Sequence, residues 1–317
     1  MSQLQLIPHL TRILLVVSLA LAAVAAAEPV EPDAAAPTGP RSDTEAALAA
    51  AQRQLRLGPT DVSLAGQATL RLPAGYGFIP EAQAADLMKA MGNRVGDGLQ
   101  GLIVPAGQDQ ESADWFVVVS YDESGYIKDD DARTWNADEL LSNIREGTEE
   151  TNSERRSRGI PEIEVTGWIE KPQYDDANHR LVWSLGSRRK GDTSGSEVGV
   201  NYNTLALGRQ GYLSLNLVTG LAEVEGLKPV ARTLLASLDF EQGRRYADFN
   251  ADTDKVAEYG LAALVAGVAA KKLGLFALAA AFAVKFAKVI GVAAVVALAS
   301  LRKLFGGREK SRPSDQA

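Results

Sequence analysis

A chain of 317 residues with 46% hydrophobic and 23% charged side chains is long enough for one or two domains with a hydrophobic core, and too polar for a polytopic transporter. Its net charge of −7 is unevenly spread: residues 28–255 carry 23 basic and 37 acidic side chains, a net of −14 that repels phosphate backbones and excludes nucleic acid as an expected partner. The absence of cysteine excludes disulfides, thiolate nucleophiles, zinc–thiolate sites and iron–sulfur clusters.

The first 27 residues predict a cleavable signal peptide. Arg12 precedes the apolar run Ile13 to Leu21, and Ala25-Ala26-Ala27 before Glu28 is a small-x-small cleavage pattern. The run from Ile13 to Ala27 has 15 residues where a membrane span needs about 20, which argues against an uncleaved anchor. Residues 28–56 read as a disordered or weakly helical lead-in, with Pro29, Pro32, Pro37, Gly39 and Pro40 near its start.

Residues 57–245 predict an extracytoplasmic α+β domain. Thr69 to Leu72 reads as a short strand entering a turn at Pro73 to Gly77, and Glu81 to Met91 as a helix. Leu99 to Val104 and Trp115 to Tyr121 read as buried strands. The spacing predicts a long polar helix over Ala137 to Arg158, capped by Asn136 and ended by Gly159 and Pro161. Four strands follow, Glu164 to Tyr174, Arg180 to Ser187, Glu197 to Leu207 and Tyr212 to Thr219, with a hairpin at Gly208-Arg209-Gln210-Gly211. An amphipathic helix running to Leu238 carries Val230, Leu234 and Leu238 on one face. The expected architecture is an antiparallel sheet meander of five or six strands with packed helices, followed by a C-terminal membrane helix.

Residues 246–279 read as a membrane-proximal linker and an apolar Gly/Ala-rich helix. Gly260, Gly267 and Gly274 recur every seven residues, a stripe that permits close helix approach and possible self-association; the alternative is an alanine-rich helix with incidental glycines. Residues 280–301 form the expected transmembrane helix, about 30 Å long, with Lys285 and Lys288 snorkelling near its outer end. The tail, 302–317, adds five positive charges just after the span, which predicts a cytoplasmic C-terminus. A hairpin with arms at Tyr259 to Ala270 and Val284 to Leu301 would leave that tail outside, against the charge rule. The expectation is therefore a single-pass protein of the bacterial inner membrane with its bulk in the periplasm, whose expected partners are the lipid bilayer and an envelope or membrane protein or a second copy met through Gly260, Gly267 and Gly274.

No constellation predicts a catalytic, cofactor or metal site. With His9 in the segment expected to be removed, His179 is the only imidazole of the mature chain, and Asp175-Asp176-Ala177-Asn178-His179 reads as a solvated turn. Asp248, Asn250, Asp252 and Asp254 alternate like the start of a calcium loop, but Thr253 stands where glycine is needed and Tyr259 where glutamate is needed; the segment reads as a linker with helix caps. Asp129-Asp130-Asp131 reads as a solvated acidic loop. Ser120 and Ser214 lie within strands, not on nucleophile elbows, and Trp115, Trp168 and Trp183 read as core anchors instead of sugar platforms.

The phrases Leu72-Pro73-Ala74-Gly75-Tyr76, Trp115 to Tyr121, Gly125-Tyr126-Ile127-Lys128-Asp129-Asp130-Asp131, Arg245-Tyr246-Ala247-Asp248-Phe249 and Asp254 to Ala263 together resemble the bacterial membrane-anchored proteins of domain-of-unknown-function family 2167, over about Leu57 to Phe305. That resemblance implies an envelope protein with no assigned activity or site. The meander closed by a helix and the exit Ser237 to Phe240 also resembles the fold grouped as Mog1/PsbP-like, which implies a fold and no activity. The expected function is a non-catalytic binding or scaffold domain; the alternative is a carboxylate-based hydrolase of envelope polymers, which the wealth of acids permits.

Overall fold

The computed structural model describes residues 40–93, 95–107, 114–192 and 198–267. The expected signal peptide, residues 28–39 of the lead-in, the expected transmembrane helix at 280–301, the basic tail and Gly274 lie outside the described residues. Among the described residues no helix is long and apolar enough to cross a membrane.

In chain order the elements are α1 (Pro40–Arg53), β1 (Arg56–Leu57), β2 (Thr60–Leu64), β3 (Ala68–Leu72), β4 (Tyr76–Pro80), α2 (Glu81–Ala90), β5 (Leu99–Pro105) and β6 (Phe116–Asp122). Then come α3 (Ala137–Ser157), β7 (Ile163–Asp175), β8 (Arg180–Arg189), β9 (Gly199–Leu207), β10 (Tyr212–Gly220), α4 (Val224–Ala236), β11 (Leu238–Phe240) and α5 (Leu261–Ala266). The class is α+β, as the patterning predicts. The strands form an eight-stranded sheet in the order β1-β4-β5-β6-β10-β9-β8-β7, antiparallel throughout, and a second sheet in the order β11-β3-β2. Five or six strands were therefore too few. The additional ones are short: β4 holds Gly77 and ends on Pro80, and β11 has three residues, too few to show an alternation.

Side-chain alternation distributes the core. On the inner face of the large sheet Val117, Val119, Tyr202, Leu213, Leu215 and Leu217 pack with Leu64, Leu70 and Leu72 of the second sheet and with Leu234 and Leu235 of α4. On the outer face Phe116, Val118 and Val218 pack under α1 and α2, with Ala51, Leu87 and Met88. The run Phe116-Val117-Val118-Val119 is continuously apolar because both of its faces are covered. At the other end of the outer face Leu181, Trp183, Leu205 and Leu207 pack with Leu140 of α3 and with Leu261 and Val265 of α5.

Helix α3 begins where Asn136 predicts. The Asn136 side chain accepts hydrogen bonds from the N–H groups of Asp138 and Glu139, and both acids sit favourably at the positive end of the helix dipole. The edge strand β7 carries three register shifts against β8. One falls between Trp168 and Glu170, which would share a face in a regular strand. Trp168 pairs with Leu185 and donates its indole N–H to Ala137 O on the outer side, whereas Glu170 pairs with Ser184 and reaches α4 on the inner side.

Candidate functional site

One cluster of interacting polar side chains gathers where β7 turns into β8. Asp175 closes the turn by accepting from the N–H groups of Ala177 and Asn178, and Asn178 holds its carboxyl below the ordinary range. His179 follows with φ at +52°, a conformation uncommon for a residue with a Cβ. That backbone aims the ring back across the hairpin. Tyr174 Oη donates to Asp129 Oδ2 at 2.7 Å and lies 3.1 Å from His179 Nδ1. Because the phenol proton is engaged by Asp129, the imidazole must donate from Nδ1, which leaves its Nε2 as the acceptor in the neutral ring. Burial, with the carboxylate of Asp129 next, pushes the Tyr174 phenol well above its usual range.

His179 is thus no solvated turn residue, contrary to the reading from its neighbours in the chain. Its ring lies on Tyr246 with centroids 4.1 Å apart, Tyr246 stacks on Tyr126 at 4.4 Å, and Tyr126 stacks on Phe249 at 3.8 Å. The four rings form a column joining the β7–β8 turn, the loop after β6 and the segment after β11. Tyr246 is buried and donates its hydroxyl to Ile127 O at 2.8 Å, and burial raises its pKa.

The acidic run also departs from a solvated loop, since two of its members have separate structural tasks. Asp129 accepts from Tyr174, and Asp131 caps α5 by accepting from Leu261 N at 3.1 Å and Ala262 N at 3.0 Å. The same loop pairs with the C-terminal arm as a strand would: Tyr126 N donates to Lys255 O and Ala257 N to Tyr126 O, both at 2.8 Å. Gly125 is required there, with φ at +101° and space for a Cβ only 2.7 Å from Lys255 O. The arm from Tyr246 to Gly267, part of the stretch 246–279 expected as a membrane-proximal linker and apolar helix, is therefore docked on the domain. Gly260 and Gly267 stand at the two ends of α5, Gly267 in the left-handed C-cap conformation.

The oxygens that resemble a calcium loop serve this docking. Asp254 takes both ends of the Arg209 guanidinium, at 2.7 and 2.8 Å, and accepts from Asn250 N. Asp248 accepts from Arg245 N, Asn250 Oδ1 from Asp252 N, and the Asp252 side chain is exposed. They do not converge on a common point, and among the described residues no group of three or more His, Asp or Glu is placed to hold a metal.

A second polar cluster ties α4 to the sheet. Glu170, with its side chain 9% exposed, accepts from Tyr202 Oη at 2.9 Å and from Arg232, and Lys228 Nζ lies 3.7 Å away. Burial is the largest cause that raises the Tyr202 phenol to about 12. A carboxylate neutralised by two cations and a phenol is a packing device, poorly suited to proton transfer.

Chemically, the histidine cluster supplies an oriented imidazole and a surface of stacked rings. Ser120 and Ser214, which would be candidate nucleophiles, pair with each other across β6 and β10. Trp115 and Trp183 are buried and Trp168 is committed to Ala137 O, so none offers a free sugar platform. Tyr126, Tyr174, Tyr246 and Phe249 were missed as site residues. For Tyr126, Tyr246 and Phe249 the signal was aromatic density in Gly125-Tyr126-Ile127 and Arg245-Tyr246-Ala247-Asp248-Phe249, phrases read above for family likeness alone; Tyr174 was read as the end of a strand.

A family model described as "Protein of unknown function (DUF2167)" matches residues 56–298, and the chain belongs to that family. No curated protein matches it. Among solved structures it is similar to cyanobacterial PsbP (CyanoP) from Synechocystis sp. PCC 6803, at 13% identity and a TM-score of 0.35, covering 59% of this chain and 93% of that one. It is also similar to the Ran-binding protein Mog1p of Saccharomyces cerevisiae, at 12% identity and a TM-score of 0.29, covering 57% of this chain and 89% of that one.

Proposed function

We propose that this member of the DUF2167 family is an envelope protein of bacteria, exported by its first 27 residues, held at the outer face of the inner membrane by residues 280–301, and acting by binding instead of by catalysis. The observation that carries this reading is the docked arm. The ring column, the Arg209–Asp254 pair and the Asp131 cap fasten Arg245 to Gly267 to the domain, so the apolar run beyond leaves from a fixed point. A fold that extends as far as Gly267 supports a domain that ends where the expected anchor begins. The binding half of the reading is supported by two buried acids: the Glu170 and Asp254 side chains are each engaged by cationic donors, so neither stands ready as a general acid or base.

The test is fractionation of the expressing cells with reporter fusions. The expected results are a mature N-terminus at Glu28, retention in the carbonate-washed membrane pellet, release when the chain is truncated after Gly267, and a cytoplasmic reporter behind Ala317. A reporter behind Ala317 that lies outside the cell, or a truncated chain that stays in the pellet, would overturn the reading.

A further inference from the structure

The outer face of the large sheet is covered twice, by α1 and α2 over β4 to β6 and by α3 and α5 over β8 and β9. Between these apolar patches runs a polar strip set by register. Asn203 faces Asn216 across β9 and β10, Ser214 faces Ser120 across β10 and β6, and Asn201 is the next residue along β9 on the same face as Asn203. Asn201 and Asn216 are 6% and 9% exposed, while Asn203, Ser214 and Ser120 are half-buried, so the strip is open on one side.

Asparagine is disfavoured in strands, and a desolvated amide must find partners. These amides are only partly served. Asn216 Nδ2 donates to Asn201 Oδ1 at 3.4 Å and Asn203 Nδ2 to the backbone O of Asn201 at 3.3 Å. Asn216 Oδ1 is buried with no hydrogen-bond partner among the described residues. The sheet does not need it, because β9 and β10 pair without a break from Tyr212–Leu207 to Gly220–Gly199. A buried acceptor left open in a complete ladder is available to a donor from outside the fold, and a ligand can supply that donor.

The chemistry of that donor follows from the walls. The floor is neutral, so it selects uncharged amide or hydroxyl groups. A sugar would also need an aromatic platform, but Trp183, the cross-strand neighbour of Asn203, is sealed in the core. An extended peptide needs donors and acceptors for its backbone, and the amides and hydroxyls of the strip supply both. Asp122 is the next β6 residue on the Ser120 face and has no ion pair among the described residues, which sets a positive group at that end. From Asn201 to Asp122 the strip spans roughly 20 Å, the reach of six or seven extended residues.

We propose that this strip binds an extended peptide segment, uncharged through its middle and cationic at the end beside Asp122. The proposal rests on the binding reading above and names its partner class. The test uses the full-length protein in detergent micelles and fluorescence anisotropy with a library of heptapeptides built from Ala, Ser, Thr, Asn, Gln, Val and Leu with one terminal Lys. The expected result is saturable binding that N216L weakens about tenfold with little change in melting temperature, because the isosteric apolar group removes an unmet acceptor and gives up only the long bond to Asn201 Oδ1. Should N216L fail to fold, N203A and S214A carry the same expectation, and D122N weakens binding of the Lys-ended peptides alone. No binding below about 1 mM, binding indifferent to all these variants, or preference for chitohexaose would overturn the proposal. Any of these with the protein still in the washed membrane pellet sinks the strip and spares the anchor; a protein lost from the pellet that still binds peptide does the reverse.

Discussion

Asp131 and Leu261 stand 130 positions apart in the chain, yet one oxygen of the carboxylate accepts the Leu261 N–H while the other accepts that of Ala262. A helix of six residues cannot satisfy its own first N–H groups, so the cap decides whether α5 closes against the sheet. D131A is expected to cost about 1 kcal/mol and to speed amide exchange in Leu261 to Ala266 more than in β9. G260A should act in the same way, because its Cβ would lie 2.4 Å from Asp131 Oδ2. Exchange mass spectrometry checks both, and unchanged exchange in α5 would mean that its apolar face alone holds it.

Tyr246 packs between Tyr126 and His179 in the ring column and donates a buried hydrogen bond to Ile127 O. Y246F deletes that bond, together with the hydroxyl's contact with Tyr126, and leaves the carbonyl unmet, a loss of about 1–2 kcal/mol in urea unfolding. Y246A also opens a cavity between Tyr126 and His179, for about 3–5 kcal/mol. A Y246A loss no larger than that of Y246F would show that the stack adds nothing to stability.

The Arg209–Asp254 pair gives a pH signature. Arg209 holds the Asp254 carboxyl at about 2, below its ordinary 3.8. The folded state favours the carboxylate, so this contribution is present above pH 3.8 and is lost as the pH falls through about 2. Across that window the urea midpoint of D254N should fall less steeply than that of the unaltered chain, and the two should converge at the acid end. Parallel curves would mean that the pair is not formed in solution.

How much of this was legible in the chain depends on how local each signal was. Helix α3 could be read because its cap, Asn136, and its polar face lie within one window, and β8 because Leu181, Trp183 and Leu185 alternate. The second sheet could not be, since Leu238 pairs with Leu70 and three residues carry no period. The site failed for a related reason. Asp175-Asp176-Ala177-Asn178 dictates a turn, and nothing within that turn shows that His179 meets Asp129 and Tyr246 from distant segments. The placement of Glu170 was hidden by the β7 bulges, which reverse the face that simple alternation assigns. What the sequence did contain was the aromatic content of two phrases, which becomes meaningful only once the arm is docked.

Tyr174 and His179 provide a test that isolates their own contact. If the imidazole donates from Nδ1 to a phenol whose proton is held by Asp129, the two side chains are energetically coupled through one chain of hydrogen bonds. The double-mutant cycle of Y174F and H179N, asparagine being chosen because it tolerates the left-handed backbone, should return a coupling of about 0.5–1.5 kcal/mol. The same phenol predicts an alkaline limb. Its folded pKa lies above the ordinary 10.0, so the fold favours the neutral form, and that contribution is complete below pH 10.0 and is lost as the pH rises toward the folded value. Followed by the tyrosinate ultraviolet band, the native chain should ionise fewer than its eight tyrosines before it unfolds, and Y174F should flatten the alkaline loss of stability. A coupling near zero together with an unchanged alkaline limb in Y174F would show that His179 and Tyr174 are merely neighbours.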